Sequence, residues 1–355
     1  MSSVRYPNFD TLRLVAASSV VFSHAFLIAT GSEETEPLHG TGLVAGVYGV
    51  FIFFILSGFL VTESAKRSAG LADYFRKRFL RIAPALAVST LLIVYVICPP
   101  FATDGAVAFV LDPEILSRAM QVIFLHTDNL YFTNVAFYPP SGEEDYLPGI
   151  ANGVLWTIRL EVIGYALIAV LMVMSLLKGR RQIIALLIAC GVIGLSVAYG
   201  KTVSVEWLGA LLFVLPSLCC GIIMNWLVQF HKPRGWIAAL FALGFVPAVH
   251  FQVLPETFCY LAAYPLIWLG AVEFKPFTWL RTRSDISYGV YLYGWPVTQV
   301  IRAFVGDGLS GYEMTTLALP ATALLAYLSW HLVEKPALRL KTAAPMAQAQ
   351  PLQTS

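Results

Sequence analysis

His24 is the residue whose type and position most directly suggest chemistry. It lies in the first long apolar segment, between the apolar runs 20–22 and 25–27. An imidazole exchanges a proton near neutral pH, and the few ionisable groups inside lipid-spanning helices usually mark a reaction or transport path. The alternative is a neutral histidine that donates one hydrogen bond to a neighbouring helix. Position alone gives the two interpretations equal weight.

Three arginines suggest an anion site. Arg78 and Arg81 are three residues apart and share one helical face, and two guanidinium groups on one face suit a phosphate. The basic run 76–81 also fits a simple anchor to anionic lipid headgroups. Arg13 precedes His24 by 11 residues, about 16 Å along a helix. A ligand with phosphates at the arginines and a long thin arm would reach His24, and coenzyme A has that shape.

A further pair of charges, Arg159 and Glu161, stands in the apolar segment 153–177. Residues two apart do not face each other on a helix, so each is expected to pair with another helix or to face a polar cavity. Glu161 and His24 are both expected in the outer half of their spans, where a carboxylate could orient the imidazole as a general base. The competing interpretation is helix–helix contact of purely structural value.

The composition excludes an ordinary soluble domain. The chain of 355 residues is 58% hydrophobic and 12% charged, against about 25% charged in soluble domains, and its mean hydropathy is +0.72. We therefore predict an all-α, polytopic membrane protein. The apolar segments long enough for about ten transmembrane helices are 12–30, 43–62, 82–100, 153–177, 182–200, 204–229, 236–251, 257–274, 286–304 and 314–333. Residues 107–125, interrupted by charges, are predicted to form an amphipathic helix outside the membrane core.

The basic residues predict the orientation. With the N-terminus inside, 19 of the 23 Lys and Arg residues fall on the cytoplasmic face, so both termini are predicted to be cytoplasmic. The first helix lacks a signal-peptide layout and is expected to be retained. The domain prediction is a membrane domain over 1–341 and a short disordered cytoplasmic tail over 342–355.

The loop 101–152 is expected outside the membrane, and its acidic and aromatic side chains, Tyr138 among them, suit a sugar surface. An interfacial aromatic belt is the alternative and is slightly favoured for any single tyrosine. Tyr288, Tyr291 and Trp295 recur at spacings of three and four in the ninth segment, which favours a packing stripe. The five cysteines show no metal-ligand spacing, so they are interpreted as packing residues.

These motifs together resemble the membrane-bound acyltransferase type 3 family over nearly the whole chain. The similar segments are Asp10-Thr-Leu-Arg13 with Ser23-His24, the run 49–60, Arg78-Phe-Leu-Arg81-Ile-Ala-Pro84, Leu155-Trp156 with Glu161 and Tyr165, the run 287–291, and Glu334-Lys-Pro336. Phe51 departs from an acidic residue found in many members, and Gly294 departs from a histidine. Both departures are expected to affect the acceptor pocket and not donor use.

The resemblance implies an O-acetyltransferase of a bacterial cytoplasmic (inner) membrane. It implies transfer of an acyl group, most simply acetyl from acetyl-CoA, to a hydroxyl of a cell-envelope carbohydrate or glycolipid, such as an exopolysaccharide or lipopolysaccharide. His24 and Glu161 are the expected catalytic residues, with His24 as general base or acyl carrier. Arg13, Arg78 and Arg81 are expected to bind the acyl-CoA, with no metal.

The expected partners are the donor, the acceptor, the lipid bilayer and proteins of polysaccharide assembly, with no nucleic acid. Two other functions remain open from sequence. A transporter or flippase of lipid-linked saccharides would use the same charged cavity for transit. A scaffold in an assembly complex would tolerate substitution of both His24 and Glu161.

Overall fold

The computed structural model describes residues 6–140, 145–200, 202–273 and 285–340, which leaves the predicted tail outside the described residues. The helices are α1 (Phe9–Thr30), α2 (Ala45–Arg67), α3 (Leu71–Leu92), α4 (Ala106–Leu111), α5 (Pro113–Ile123), α6 (Trp156–Val173), α7 (Gln182–Tyr199), α8 (Glu206–Leu227), α9 (Gly235–Leu243), α10 (Phe245–His250), α11 (Leu254–Ala271), α12 (Ser287–Val305), α13 (Gly311–Ser329) and α14 (Lys335–Arg339). Two short strands, β1 (Leu130–Tyr131) and β2 (Ile150–Asn152), pair antiparallel.

The protein is a helical membrane protein. In the part of the chain that the structure describes, seven helical segments are long and apolar enough to cross a bilayer. They are Phe9–Thr30, Ala45–Arg67, Leu71–Ile97, Trp156–Val173, Gly179–Tyr199, Glu206–Leu227 and Gly311–Arg339. The remaining three predicted spans coincide with α9 and α10 together, with α11 and with α12. A count of ten and the cytoplasmic placement of the termini stay predictions.

The centre of the bundle is α2. Of its most apolar window, 78% is buried, against 17% in the segment that contains α7, so α2 is enclosed by protein and α7 lies at the periphery. Helix α2 packs between α1 and α8, and α1 packs in turn against α12 and α13. A Cβ on Gly58 of α2 would overlap the carbonyl oxygen of Leu218, and one on Gly221 of α8 would overlap that of Ile55. The two glycines therefore allow the backbones of α2 and α8 to approach closely.

The loop between α3 and α6 contains two short helices, α4 and α5, and both strands. Asp112 ends α4 and caps α5 by accepting a hydrogen bond from the Glu114 amide at 2.8 Å, with Pro113 as the first residue of α5. The predicted amphipathic helix over 107–125 is thus two helices that meet at a cap. The β1–β2 pair is a small departure from the all-α prediction.

Two helices end in a π turn, in which hydrogen bonds span five residues instead of four. One is Ile93–Ile97 after α3, and the other is Trp330–Glu334 after α13. Helix α3 also begins at Leu71, 11 residues before its predicted span, because the basic run 76–81 is helical and continues into the apolar segment. This continuity places Arg78 and Arg81 on the same helix as the residues buried in the bundle.

Candidate active site

A cavity of about 340 Å³ opens between α1, α2, α3, α6 and α12. Arg13, Arg78, Arg81 and Glu161, four of the five residues selected from sequence, line its wall. The fifth, His24, is not among the lining residues. Two further carboxylates that the sequence analysis did not select complete the charged lining, Asp10 and Asp285.

Asp285 joins two of the arginines. Its Oδ2 accepts from Arg81 Nη2 at 2.6 Å and lies 3.5 Å from Arg13 Nη1. Burial favours a higher pKa for Asp285, but the guanidinium groups of Arg81 and Arg13 and the Ser287 hydroxyl outweigh burial and hold the pKa below its ordinary value. The carboxylate is therefore ionised near neutral pH and neutralises part of the arginine charge.

Glu334 supplies a second carboxylate to Arg81. Its Oε2 lies 4.0 Å from Arg81 Nη1, and its side chain is only 2% exposed. The π turn Trp330–Glu334 brings this residue beneath α3. Glu334 stands in a motif noted from the sequence and Asp285 does not, and sequence spacing gave neither residue a partner, since Arg81 lies more than 200 residues away.

Arg78 is placed differently from the other two arginines. Its Nη2 donates to Ser64 Oγ at 3.1 Å, and its guanidinium lies over the Tyr165 ring, 5.6 Å from the centroid. Among the described residues it has no carboxylate within ion-pair distance, and its buried Nε has no hydrogen-bond partner. Arg78 is thus a cavity arginine without an ion-pair partner in the part of the chain that the structure describes.

Glu161 faces the same cavity from α6. Its Oε1 accepts from Tyr165 at 2.5 Å and from Ser57 at 3.2 Å. Arg159 points elsewhere and pairs with Asp128 of the loop at 3.1 Å. The two charges therefore have separate partners, as their spacing on a helix requires.

His24 lies on α1 beyond the cavity. Its ring packs edge-to-face on Trp295, with the centroids 4.7 Å apart and the planes at 73°. Its Nδ1 is buried without a hydrogen-bond partner in the described ranges, so the expected direct pairing with Glu161 is not present. Glu161 lines the cavity and His24 does not, and Glu161 Oε1 accepts from Ser57 and Tyr165 instead.

One face of α12 connects the cavity with His24. Tyr288 and Tyr291 line the cavity, and Trp295, the next residue on that face, contacts His24. These three aromatics share one face of α12, as their spacing predicted, and that face borders the cavity at one end and His24 at the other. We call the Tyr288–Tyr291 side of α12 the cavity end and the Trp295–Arg302 side the loop end.

The neighbour of His24 helps to fix α1 against α2. Ser23 Oγ accepts from the Gly46 amide at 2.7 Å in the first turn of α2. Glu36, 3% exposed, accepts from the Ala45 amide at 2.9 Å in the same turn. A carboxylate at a helix N-terminus is favoured by the helix dipole, so this contact holds α1 and the first loop in register with α2.

Comparisons of the sequence with known proteins identify the family. The acyltransferase domain family matches residues 6–332. The chain belongs to this family of acyltransferases. Nodulation protein 10 of Rhizobium leguminosarum bv. viciae is 30% identical, over 96% of this chain and 95% of its own length. The O-acetyl transferase of Shigella phage Sf6 is 31% identical, over 92% and 94%. No solved structure matches the chain.

A more distant relative is a longer protein. Peptidoglycan O-acetyltransferase OatA of Listeria monocytogenes is 23% identical over 93% of this chain, which corresponds to 55% of the relative. The family and the enzyme class predicted from the motifs, an O-acetyltransferase, are confirmed. An acyl donor follows from the class, while its identity and the roles of the five selected residues are not decided by these comparisons.

The two departures from the family pattern lie in packed positions. Phe51 is 3% exposed and packs on the Phe213 ring with centroids 4.9 Å apart. A Cβ on Gly294 would come within 2.5 Å of a methyl group of Val21 on α1. A histidine at position 294 would therefore require Val21 to move. The expected effect of both departures on the acceptor pocket stays a prediction.

Proposed function

We propose that this acyltransferase moves an acyl group, most simply acetyl, from acyl-CoA to a hydroxyl of a cell-envelope carbohydrate or glycolipid. The observation that carries the proposal is the meeting of Arg13, Arg78 and Arg81 in one cavity, with a single helix face leading from it to His24. The proposed setting is the bacterial inner membrane, with about ten spans and the arginines toward the cytoplasm, where acyl-CoA is available.

The arginine cluster suits the phosphates of the donor. Arg78, which has no ion pair with any described residue, offers a guanidinium that can form strong charge-assisted hydrogen bonds with phosphate oxygens. Arg13 and Arg81 already hold an anion, the Asp285 carboxylate. A donor phosphate would take over those hydrogen bonds in part, so Asp285 acts as a stand-in for the donor when the cavity is empty of ligand.

The distance from the arginines to His24 suits the arm of coenzyme A. Helix α1 is continuous from Phe9 to Thr30, with no proline, so the rise of a regular helix applies over the 11 residues from Arg13 to His24 and gives about 16 Å. The thioester at the tip of the arm would then approach His24 along Tyr288 and Tyr291.

His24 can act in either of two ways. As a general base, it takes the proton of the acceptor hydroxyl while the oxygen attacks the thioester carbon. The carbon–sulfur bond breaks, and the proton passes to the sulfur of coenzyme A. As an acyl carrier, it attacks the thioester itself, releases the thiol, and later yields the acyl group to the hydroxyl. Glu161 is proposed to act from the cavity wall, together with the Tyr165 and Ser57 hydroxyls.

Acetyl transfer by purified protein tests the proposal. With labelled acetyl-CoA and an extract of envelope glycans as acceptor, His24→Ala is expected to abolish ester formation, a loss of at least 100-fold, as is usual for a proton-transfer residue. His250→Ala is the matched control, because His250 is exposed at the end of α10. A fully active His24→Ala protein would overturn the proposed role.

Labelling without an acceptor separates the two roles of His24. An acyl carrier leaves a label on the wild-type protein that is missing from His24→Ala, whereas a general base leaves no label on either. The alternative of a saccharide flippase gains no specific support, because the family match is to acyltransferases.

A further inference from the structure

The loop end of α12 is tied to the loop that precedes α6. Trp295 Nε1 donates to the Ile150 carbonyl at 2.8 Å, and Gln299 Nε2 donates to the same carbonyl at 3.0 Å and to that of Leu147 at 2.8 Å. Asn152 Nδ2 donates back to the Leu292 carbonyl of α12 at 3.0 Å. The residue that contacts His24 and the residue one turn further on therefore hold the same backbone oxygen.

Several polar atoms near this end lack partners. Gln299 is fully buried, and its Oε1 accepts no hydrogen bond from any described residue. The Tyr138 hydroxyl and Arg302 Nε are buried and unpartnered within the same described ranges. The guanidinium of Arg302 lies over the Tyr138 ring, 5.2 Å from its centroid. Buried polar groups are nearly always hydrogen-bonded, so a group of unpartnered ones requires an explanation, of which a ligand is one.

Two of the three residues, Gln299 and Arg302, lie on the face of α12 that borders the cavity and contacts His24. Gln299 and Arg302 continue the series Tyr291 and Trp295 at spacings of four and three. Arg302 lies seven residues beyond Trp295, about 10 Å along the axis. The unpartnered atoms thus begin one turn from the proposed reaction centre and extend away from the arginine cavity.

The chemistry of these atoms suits hydroxyl groups. Gln299 Oε1 accepts a hydrogen bond, Arg302 Nε donates one, and the Tyr138 hydroxyl can do both. Burial, with a further contribution from Asp145, raises the pKa of Tyr138 despite the nearby Arg302, so the hydroxyl keeps its proton. The other two nitrogens of Arg302 are engaged by Gly306, at 2.5 Å, and by Asp307. Of the five N–H groups of its guanidinium, the one on Nε is buried and has no described partner.

We propose that Gln299, Tyr138 and Arg302 form a subsite for the carbohydrate acceptor, which holds the sugar residue next to the one acylated at His24. The inference rests on the proposed function and adds to it the place where the acceptor binds. Sugar hydroxyls would complete the hydrogen bonds of the three side chains. An acceptor bound there would also contact the loop before α6. The Ile150 carbonyl of that loop accepts from Trp295, which contacts His24.

Tyr138→Phe tests the subsite, because it removes one hydroxyl that has no described partner in the protein. We expect thermal stability in detergent to be unchanged or slightly raised, since a buried unpartnered hydroxyl is unfavourable. Purified protein in proteoliposomes would be assayed with labelled acetyl-CoA and graded amounts of envelope-glycan extract. The extract concentration that gives half-maximal rate is expected to rise about fivefold, the value for one lost hydrogen bond. The acetyl-CoA concentration that gives half-maximal rate is expected to stay the same. Tyr199→Phe, exposed at the end of α7, is the matched control.

The outcomes separate the subsite from the underlying function. If the wild-type protein is active and the Tyr138→Phe variant saturates at the same extract concentration, the subsite is overturned and the proposed acyl transfer is not. A loss of thermal stability, or an equal rise for donor and extract, also overturns it, because the hydroxyl would then support the fold. A wild-type protein that transfers no acetyl group overturns the proposed function and this inference with it. Arg302→Lys, which keeps the charge but lacks Nε, is expected to reproduce the shift seen with Tyr138→Phe.

Discussion

The two ends of α12 are held in place by different forces. At the cavity end, the contacts are ion pairs between Asp285 and two arginines. At the loop end, uncharged side chains, Trp295 and Gln299, donate to backbone carbonyls. Leaving one partner of a buried ion pair alone costs about 3–5 kcal/mol, whereas a neutral hydrogen bond contributes about 1 kcal/mol. The cavity end is therefore the more sensitive to single substitutions, and also the end where an anionic ligand can replace a protein contact.

Arg81→Ala is expected to have the largest effect at the cavity end. It leaves Glu334 without its described cation and removes the shorter of the two contacts of Asp285. We expect a loss of about 3 kcal/mol in unfolding free energy and no measurable acetyl transfer. Thermal unfolding in detergent and the acetyl-CoA assay check both. Arg81→Lys, which keeps the charge, should recover most of the stability, and an Arg81→Ala protein as stable as the wild type would contradict the ion-pair account.

Arg78→Ala should separate donor binding from stability at the same end. Arg78 has no described carboxylate partner, so its loss strands no charge. We expect the acetyl-CoA concentration for half-maximal rate to rise about tenfold or more, the effect of losing a charged hydrogen bond, with little change in unfolding temperature. Arg76→Ala, two residues earlier on α3 and outside the cavity lining, is the control. Equal effects of the two substitutions would show that Arg78 does not bind the donor and serves only to anchor α3 at the membrane surface.

Trp295→Phe should give the smallest effect and tests the loop end. Phenylalanine keeps a ring against His24 but cannot donate to the Ile150 carbonyl. We expect a loss of about 1 kcal/mol in stability and a fall of a few fold in the maximal rate, because His24 would be less well oriented, with the donor requirement unchanged. Steady-state kinetics with varied acetyl-CoA check the second point. A rise in the donor requirement would show that the two ends are not independent.

Much of the helical framework could be predicted from the sequence, because hydropathy is a local property. All ten apolar segments coincide with helices or helix pairs of the structure. Three of them are not among the seven spans: the pair α9 and α10 is too short, and α11 and α12 are not apolar enough. For α12 the reason is its polar side chains, since Tyr288 and Tyr291 line the cavity and Gln299 donates to the loop before α6.

The contacts within the site could not be predicted in the same way. Asp285, one partner of Arg81, lies 204 positions away in the sequence. Glu334, the other partner, lies further away still. The contact of His24 with Trp295 and the hydrogen bonds of the loop to α12 also join distant parts of the chain. Spacing along one helix placed Arg78 with Arg81 and Arg13 below His24. It could not show which guanidinium is already paired.

The π turn Trp330–Glu334 changes how the end of the chain should be compared with relatives. Because such a turn accommodates one extra residue without a break, a helical wheel drawn from α13 through to α14 misplaces Glu334 by about 100°. Such a wheel would place the Glu334 side chain on a side of the helix that does not face Arg81. In an alignment, we expect a gap of one position in this segment for relatives whose helix lacks the π turn. In those relatives the carboxylate would not lie under α3, although the hydropathy of the segment would be the same.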